Sequence, residues 1–262
     1  MGLVKTDEEI ALLRENNQLV SRTLAEVAKH IAPGVTGLKL DKIAEQFIRD
    51  HGAVPGFLGY NGFPNTLCIS INDVVIHGVP SAYELRDGDI VSVDCGTRMK
   101  GYVGDSAYTF AVGSVSESVM RLLRATKESL KLGVAQAVEG KRVGDISSAV
   151  QRYVESLGYS VVREMVGHGI GTRIHEKPDV PNFGRCGSGK KLIKGMTICV
   201  EPMINMGKRD IVQEKDGWTI RTKDRKASAH FEYAVAVGKE QPDVLTTFEY
   251  VEEVLKQKGN MI

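Results

Sequence analysis

Five side chains in this sequence have the types and settings that metal-assisted hydrolysis requires: Asp94, Asp105, His168, Glu201 and Glu232. Asp94 and Glu201 each close a run of apolar, strand-forming residues, Ile90-Val91-Ser92-Val93 before one and Ile198-Cys199-Val200 before the other. Carboxylates in such surroundings are almost never fully buried without a partner, and two that arrive together repel. Asp105 follows Thr97-Arg98-Met99-Lys100-Gly101, which reads as a hairpin turn that returns Asp105 to the side of Asp94. Glu232 lies in a similar returning stretch, Ser228 to Val235, with a register two residues away from that of Asp105. A shift of two preserves the face of a strand. His168 sits in Val-Gly-His-Gly-Ile-Gly, where glycines let backbones pack closely around an imidazole.

Any one of these acids alone would read as a solvated charge or an ion-pair partner. Together the four carboxylates carry a charge of −4, which two divalent cations neutralise. Oxygen-rich ligation with one imidazole suits Mn, Fe(II), Co or Zn. Two ions roughly 3.5–4 Å apart can share a water and lower its pKa toward 7, which makes that water the expected nucleophile. The glycine-rich string around His168 is neither a P-loop nor a complete dinucleotide fingerprint.

The elements that must position these groups are written twice. Thr6 and Glu9 form a capping box ahead of a helical stripe, Ile10, Leu13, Val20, Leu24, Val27 and Ile31, which ends at Pro33-Gly34. A second amphipathic helix carries Leu40, Ile43, Ala44, Phe47 and Ile48 and stops at Gly52, and strands follow from about Leu67 to Gly113. From Ser116 the order restarts: one helix with Val119, Leu122, Leu123, Leu130 and Val134, another with Ile146, Val150, Tyr153 and Val154, then strand-like segments to about Val237. Leu40 aligns with Ile146, Phe47 with Tyr153 and Gly52 with Gly158 at an offset of 106, and Gly88 to Asp94 aligns with Gly195 to Glu201 at 107. Acid falls on acid. A duplication is expected, with halves of about 1–113 and 114–262 forming one catalytic domain over 1–262, and Asp94 and Glu201 meeting near a pseudo-twofold axis.

At 262 residues with 42% hydrophobic content the chain can bury a substantial core without covalent staples. A formal net charge of +1 offers no bulk attraction to nucleic acid or membrane. Cys68, Cys95, Cys186 and Cys199 lack the close spacing of a zinc knuckle or a redox motif and read as free thiols. Lys5, Asp7, Glu8 and Glu9 leave no room for a signal peptide's apolar core, and the expected location is the cytoplasm.

In order and spacing these residues resemble the type I methionine aminopeptidases of peptidase family M24. The likeness covers nearly the whole chain, through Cys68-Ile69-Ser70-Ile71-Asn72, His77-Gly78, Gly104-Asp105, Gly167-His168-Gly169-Ile170-Gly171, His175-Glu176, Glu201-Pro202-Met203 and Asp216-Gly217-Trp218-Thr219. The resemblance implies a duplicated α/β (α+β) "pita-bread" fold, an antiparallel sheet covered by two helix pairs. It implies two metal ions held by Asp94, Asp105, His168, Glu201 and Glu232, with Asp94 and Glu232 holding both ions and Glu201 acting also as proton shuttle. His175 is implied as donor to the oxyanion and His77 as neighbour of the next amide nitrogen, while Phe57, Tyr60, Phe63, Cys68, His77 and Trp218 are implied to line a methionine pocket. Substrates would be nascent polypeptides with a small second residue, met in transient contact with the ribosome by a monomer. The chain's own Met1-Gly2 start satisfies that rule.

Three positions depart from the family: Ile174 where bacterial enzymes often carry an aromatic, His230 in place of glutamine, and Tyr233 in place of histidine. None is an implied ligand. Glu201 and Glu232 are 31 residues apart, too close for the helical insertion of type II enzymes. Two rival readings stand beside this one. A proline-specific peptidase on the same fold would carry an extra amino-terminal domain, and a non-catalytic binding module would have lost metal ligands.

Overall fold

The computed structural model describes residues 2–259 and residue 262, so Met1, on which the expectation about the chain's own start falls, lies outside the described residues. Thr6 opens α1 (Asp7–His30) with the expected reciprocal box: its hydroxyl accepts from the Glu9 amide, and the Glu9 carboxylate accepts from the Thr6 amide. Leu13, Val20, Leu24 and Val27 are fully buried along it. Thr36 caps α2 (Gly37–Asp50) with its hydroxyl alone, which accepts from the Lys39 amide, and Gly52 turns the chain away with a φ of 74°. In the second half α3 (Glu117–Val134) packs against α4 (Val143–Ser156). Helices α2 and α4 are both 14 residues long and begin 106 residues apart, the offset at which their residues align.

A fifth helix, α5 (Glu249–Lys258), packs on α1. The sequence reading ends at about Val237 and misses it. Its signal is the buried pair Val251 and Leu255, four residues apart on one helical face.

The first half contributes β1 (Val54–Pro55), β2 (Leu67–Ile71), β3 (Val74–Ile76), β4 (Ile90–Met99) and β5 (Tyr102–Ala111). The second contributes β6 (Ser160–Val161), β7 (Gly167–Gly169), β8 (Glu176–Val180), β9 (Thr197–Val200) and β10 (Met203–Asn205). It continues with β11 (Ile211–Gln213), β12 (Ile220–Thr222), β13 (Ser228–His230), β14 (Tyr233–Ala236) and β15 (Asp243–Val244). Strand β4 lies between β2 and β5, and also pairs with β1; β9 lies between β14 and β7 in a sheet that β15 and β8 complete. All these pairings are antiparallel. Strands β4 and β9 begin 107 residues apart.

Three local expectations are corrected. The hairpin turn is only Lys100-Gly101, both at positive φ (52° and 83°), as a two-residue loop between right-twisted strands requires. Asp94 does not close its strand but sits in the middle of β4. Glu232 lies not within a strand but in the break between β13 and β14, facing the matching break at Glu201-Pro202 between β9 and β10. Proline cannot donate to the ladder, which interrupts pairing at that point.

One continuous apolar cluster takes in side chains of both halves: Val91, Val93 and Phe110 from the first, Ile198, Val200 and Val235 from the second. Tyr108 stacks edge-on against Phe231 and Phe248 with ring centroids 4.9 and 4.8 Å away. This shared core holds the β4–β5 hairpin and the β9–β14 pair in fixed relation. Their polar faces meet on the other side.

Candidate metal centre

The two-residue turn sets the register of β4 and β5, which places Asp94 opposite Ala107 and Asp105 opposite Gly96. The two aspartates are therefore diagonal neighbours on one face. Helix α1 secures the second of them. Asn17 Oδ1 accepts the Asp105 amide at 3.0 Å, and Asn16 donates to the Tyr102 carbonyl at 2.6 Å. A side chain at Gly104 would meet the α1 backbone at 3.0 Å, so the glycine before Asp105 is what admits the helix.

In the second half Val200 pairs with Tyr233 and Met203 with His230, which sets Glu201 directly across from Glu232. The two-residue difference from the Asp94–Asp105 pairing is the one read from the sequence. Glu232 is tied to the first half through its backbone: its amide donates to the Ala107 carbonyl at 3.0 Å, and Ser106 Oγ donates to its carbonyl at 2.7 Å. His168 stands on β7 with Nδ1 3.0 Å from the Gly169 carbonyl and Nε2 3.4 Å from Glu201 Oε1 and 3.8 Å from Asp105 Oδ2.

All four carboxyls and His168 are buried. Asp94 Oδ1, Asp105 Oδ1, Glu201 Oε1 and Glu232 Oε1 have no hydrogen-bond partner. Burial, above all, raises every one of these acids: Asp94 is pushed up to about 7, and Asp105, Glu201 and Glu232 well above the ordinary carboxylate range. The neighbouring carboxylates add to the rise in Asp105, Glu201 and Glu232, while a hydrogen bond from Asp105 lowers Asp94 against it. Burial also lowers His168 to about 4, helped by His175, which keeps its imidazole neutral. Unsatisfied oxygens and a neutral imidazole converging in a buried recess are what divalent cations complete. The donor set fits them.

Ligand-type atoms of Asp105, His168, Cys199 and Glu232 lie within 4.8 Å of one another. The sequence reading passed over Cys199. Its signal is parity, since it lies two residues before Glu201 and alternate strand residues share a face. Burial and the nearby Glu232, Asp105 and Glu201 hold its thiol well above the usual range, and therefore protonated.

The carboxylates form the floor of a cavity of about 210 Å³. Its walls include Phe57, Tyr60, Phe63, Cys68, His77, His175 and Trp218, so every candidate ligand, donor and pocket residue named from the sequence lines one space. Asn61, Ile76 and Ile174 complete the lining. Phe63 meets Trp218 edge-on at 5.2 Å, and Asp216 fixes the tryptophan loop by accepting the amides of Trp218 and Thr219 at 2.9 Å. Tyr60 Oη lies 2.8 Å from His175 Nδ1, and the His175 ring contacts His168 with centroids 4.4 Å apart. Burial lowers His77 to about 4 and, less far, His175.

His230, one of the departures, is fully buried with an unpartnered Nε2 and is held near 3 by burial and then by His77. A larger groove of about 520 Å³, between α3 and α4, is lined by Arg121, Arg124, Lys127 and Lys131 and offers no such convergence of acids.

A family model described as metallopeptidase family M24 matches residues 11–239. The methionine aminopeptidase of Clostridium perfringens is 49% identical over 246 residues, which are 94% of this chain and 99% of the relative. The crystal structure of methionine aminopeptidase from Rickettsia prowazekii superposes with a TM-score of 0.92 at 39% identity, covering 93% of this chain and 99% of that one. An Xaa-Pro dipeptidase from Bacillus anthracis superposes less well, with a TM-score of 0.77 at 26% identity, and the match spans 94% of this chain but only 62% of the dipeptidase. The chain belongs to metallopeptidase family M24 and, within it, to the methionine aminopeptidases.

Proposed function

We propose that this chain removes the N-terminal methionine of nascent proteins and peptides when the second residue is small. The observation that carries this reading is the sharing of one cavity by the buried four-carboxylate, one-imidazole cluster and a set of aromatic walls. In this reading Asp94, Asp105, His168, Glu201 and Glu232 would hold two divalent ions, drawn from Co, Mn, Fe and Zn. Such ions supply Lewis acidity and a water of near-neutral pKa.

The residues divide the remaining work. Glu201, buried and lining the cavity, would take a proton from the attacking water and pass it to the departing amine. With Tyr60 as the donor to Nδ1 of His175, the ring proton would rest on Nε2, where it can donate to the developing oxyanion. His77, neutral at physiological pH, accepts from the amide nitrogen of the second residue. Phe57, Phe63, Trp218 and the Cys68 thiol surround the methionine thioether; sulfur–aromatic contacts contribute about 0.3–1.5 kcal/mol.

We place the enzyme in the cytoplasm as a monomer, one catalytic domain of two repeated halves, meeting its substrates as they leave the ribosome. A net charge of +1 and the absence, among the described residues, of any helix long and apolar enough to cross a membrane agree with a peptide partner rather than nucleic acid or lipid.

The test pairs metal analysis with release of free methionine from a Met-Ala-Ser peptide. Met-Gly and Met-Ala peptides are expected to be cleaved well and Met-Leu or Met-Lys peptides poorly. Equal rates across that series, or turnover that survives exhaustive dialysis against a chelator, would overturn the proposal.

A further inference from the structure

His175 stands at the end of an irregular segment, Gly171 to His175, that leads into β8. What holds this segment comes from the far end of the chain. Glu176 folds back so that its Oε1 accepts the amides of Thr172 and Arg173 at 3.0 and 3.2 Å. Its other oxygen, Oε2, meets Lys5 Nζ at 2.8 Å. The pair is enclosed: the side chains are 1% and 11% exposed.

The amino-terminal arm is itself seated to deliver that lysine. The Lys5 amide donates to the Gly195 carbonyl at 2.8 Å, and Val4 bridges to Met196 just ahead of β9. Two glycines admit it. A side chain at Gly195 would meet the Lys5 carbonyl at 2.8 Å, and one at Gly171 would strike the Glu176 carboxylate and Lys5 Cε at 2.6 to 2.8 Å. Arm, ion pair and segment thus form one packed unit whose free end is the histidine that opens on the cavity.

We infer that Lys5 is a positioning residue for the reaction, acting through Glu176 to hold His175 in place; this rests on the role proposed for His175. An enclosed carboxylate deprived of its cation is strongly disfavoured. Glu176 would then turn toward water and release the two amides it caps. His175, the next residue, moves with them. Displacing a catalytic donor by about 1 Å can cost on the order of a hundredfold in rate.

The test is a double-mutant cycle on the metal-loaded full chain with a Met-Ala-Ser peptide, using Lys5→Met, which keeps the length of the aliphatic stem. Lys5→Met is expected to lower kcat by about tenfold to a hundredfold, with KM within about threefold and bound metal per chain unchanged. In a His175→Ala background the same change is expected to cost less than about twofold, because the group it positions is gone. Equal losses in both backgrounds, or a loss that follows metal content, would make Lys5 merely structural and overturn the inference. If Lys5→Met does not fold, Glu176→Gln in the same cycle gives the same reading. A full kcat in His175→Ala alone would remove the role of His175 and this inference with it. Absence of methionine release by the wild-type chain would instead overturn the proposed function.

Discussion

Glu201 carries two demands that usually conflict. In the proposed function it must be stabilised as an anion in a buried recess and, as a shuttle, must accept a proton readily. Burial and the flanking Asp105 and Asp94 answer the second by raising its proton affinity, and the first would be answered by the divalent cations that the cluster is proposed to hold. Glu201→Ala is expected to lower kcat by at least about 10³-fold, measured as methionine release at saturating peptide; turnover near that of the wild type would remove Glu201 from the mechanism. His175→Ala is expected to cost about 10² to 10³ in kcat with a smaller change in KM, the signature of a donor that acts mainly in the transition state. A change confined to KM would make it a ground-state binding residue instead. Asp94, Glu201 and His168 were legible at this scale because each stands in a sequence setting, an apolar run or a glycine pair, that a surface residue does not need. Cys199 was passed over because a cysteine inside an apolar run reads as core, although its parity with Glu201 puts it on the same face.

The elements convert those residues into a site through register and close approach. Gly167 shows how tightly. A side chain there would lie 2.3 Å from the Cys199 carbonyl and 3.2 Å from that of Val180, both backbone atoms of the strands flanking β7. Neither can yield without opening the sheet that presents His168. Gly167→Ala is therefore expected to destabilise the protein by about 2–4 kcal/mol and to weaken Mn binding by at least about tenfold. Denaturant unfolding and calorimetric titration of the metal would check this, and unchanged Mn affinity would contradict it. The four main helices were readable from caps and apolar spacing, and the β4–β5 hairpin from its turn residues. The strand breaks at Glu201-Pro202 and Phe231-Glu232 were not, because pairing partners far apart in sequence decide where a ladder is interrupted.

For the molecule as a whole, the raised carboxyls link stability to both pH and metal. A carboxyl whose folded-state pKa lies above its unfolded value binds its proton more tightly when folded. Its contribution is complete below about pH 4 and is lost as pH rises through the folded value, about 7 for Asp94. Metal-free protein is thus expected to lose on the order of 10 °C in Tm between pH 5 and pH 8, while Mn-loaded protein, whose ligands are already ionised, is not. Thermal scans with and without chelator would decide, and a flat or rising metal-free profile would refute the linkage. Binding near pH 6 should also release protons, visible as a dependence of the calorimetric heat on buffer ionisation.

The amino-acid sequence by itself determined the residue types of the centre, the helix caps, the repeat at 106 to 107 residues and the family. These follow from local chemistry: a cap, a turn or an apolar period is encoded within a few neighbours. Only the tertiary structure decided that Asp94 stands mid-strand, that Cys199 comes within ligand distance of Asp105, His168 and Glu232, that α5 closes on α1, and that Lys5 reaches Glu176 across 171 residues. Those outcomes depend on which face a strand turns inward and on which distant backbone a glycine admits, and no local stretch of sequence carries either.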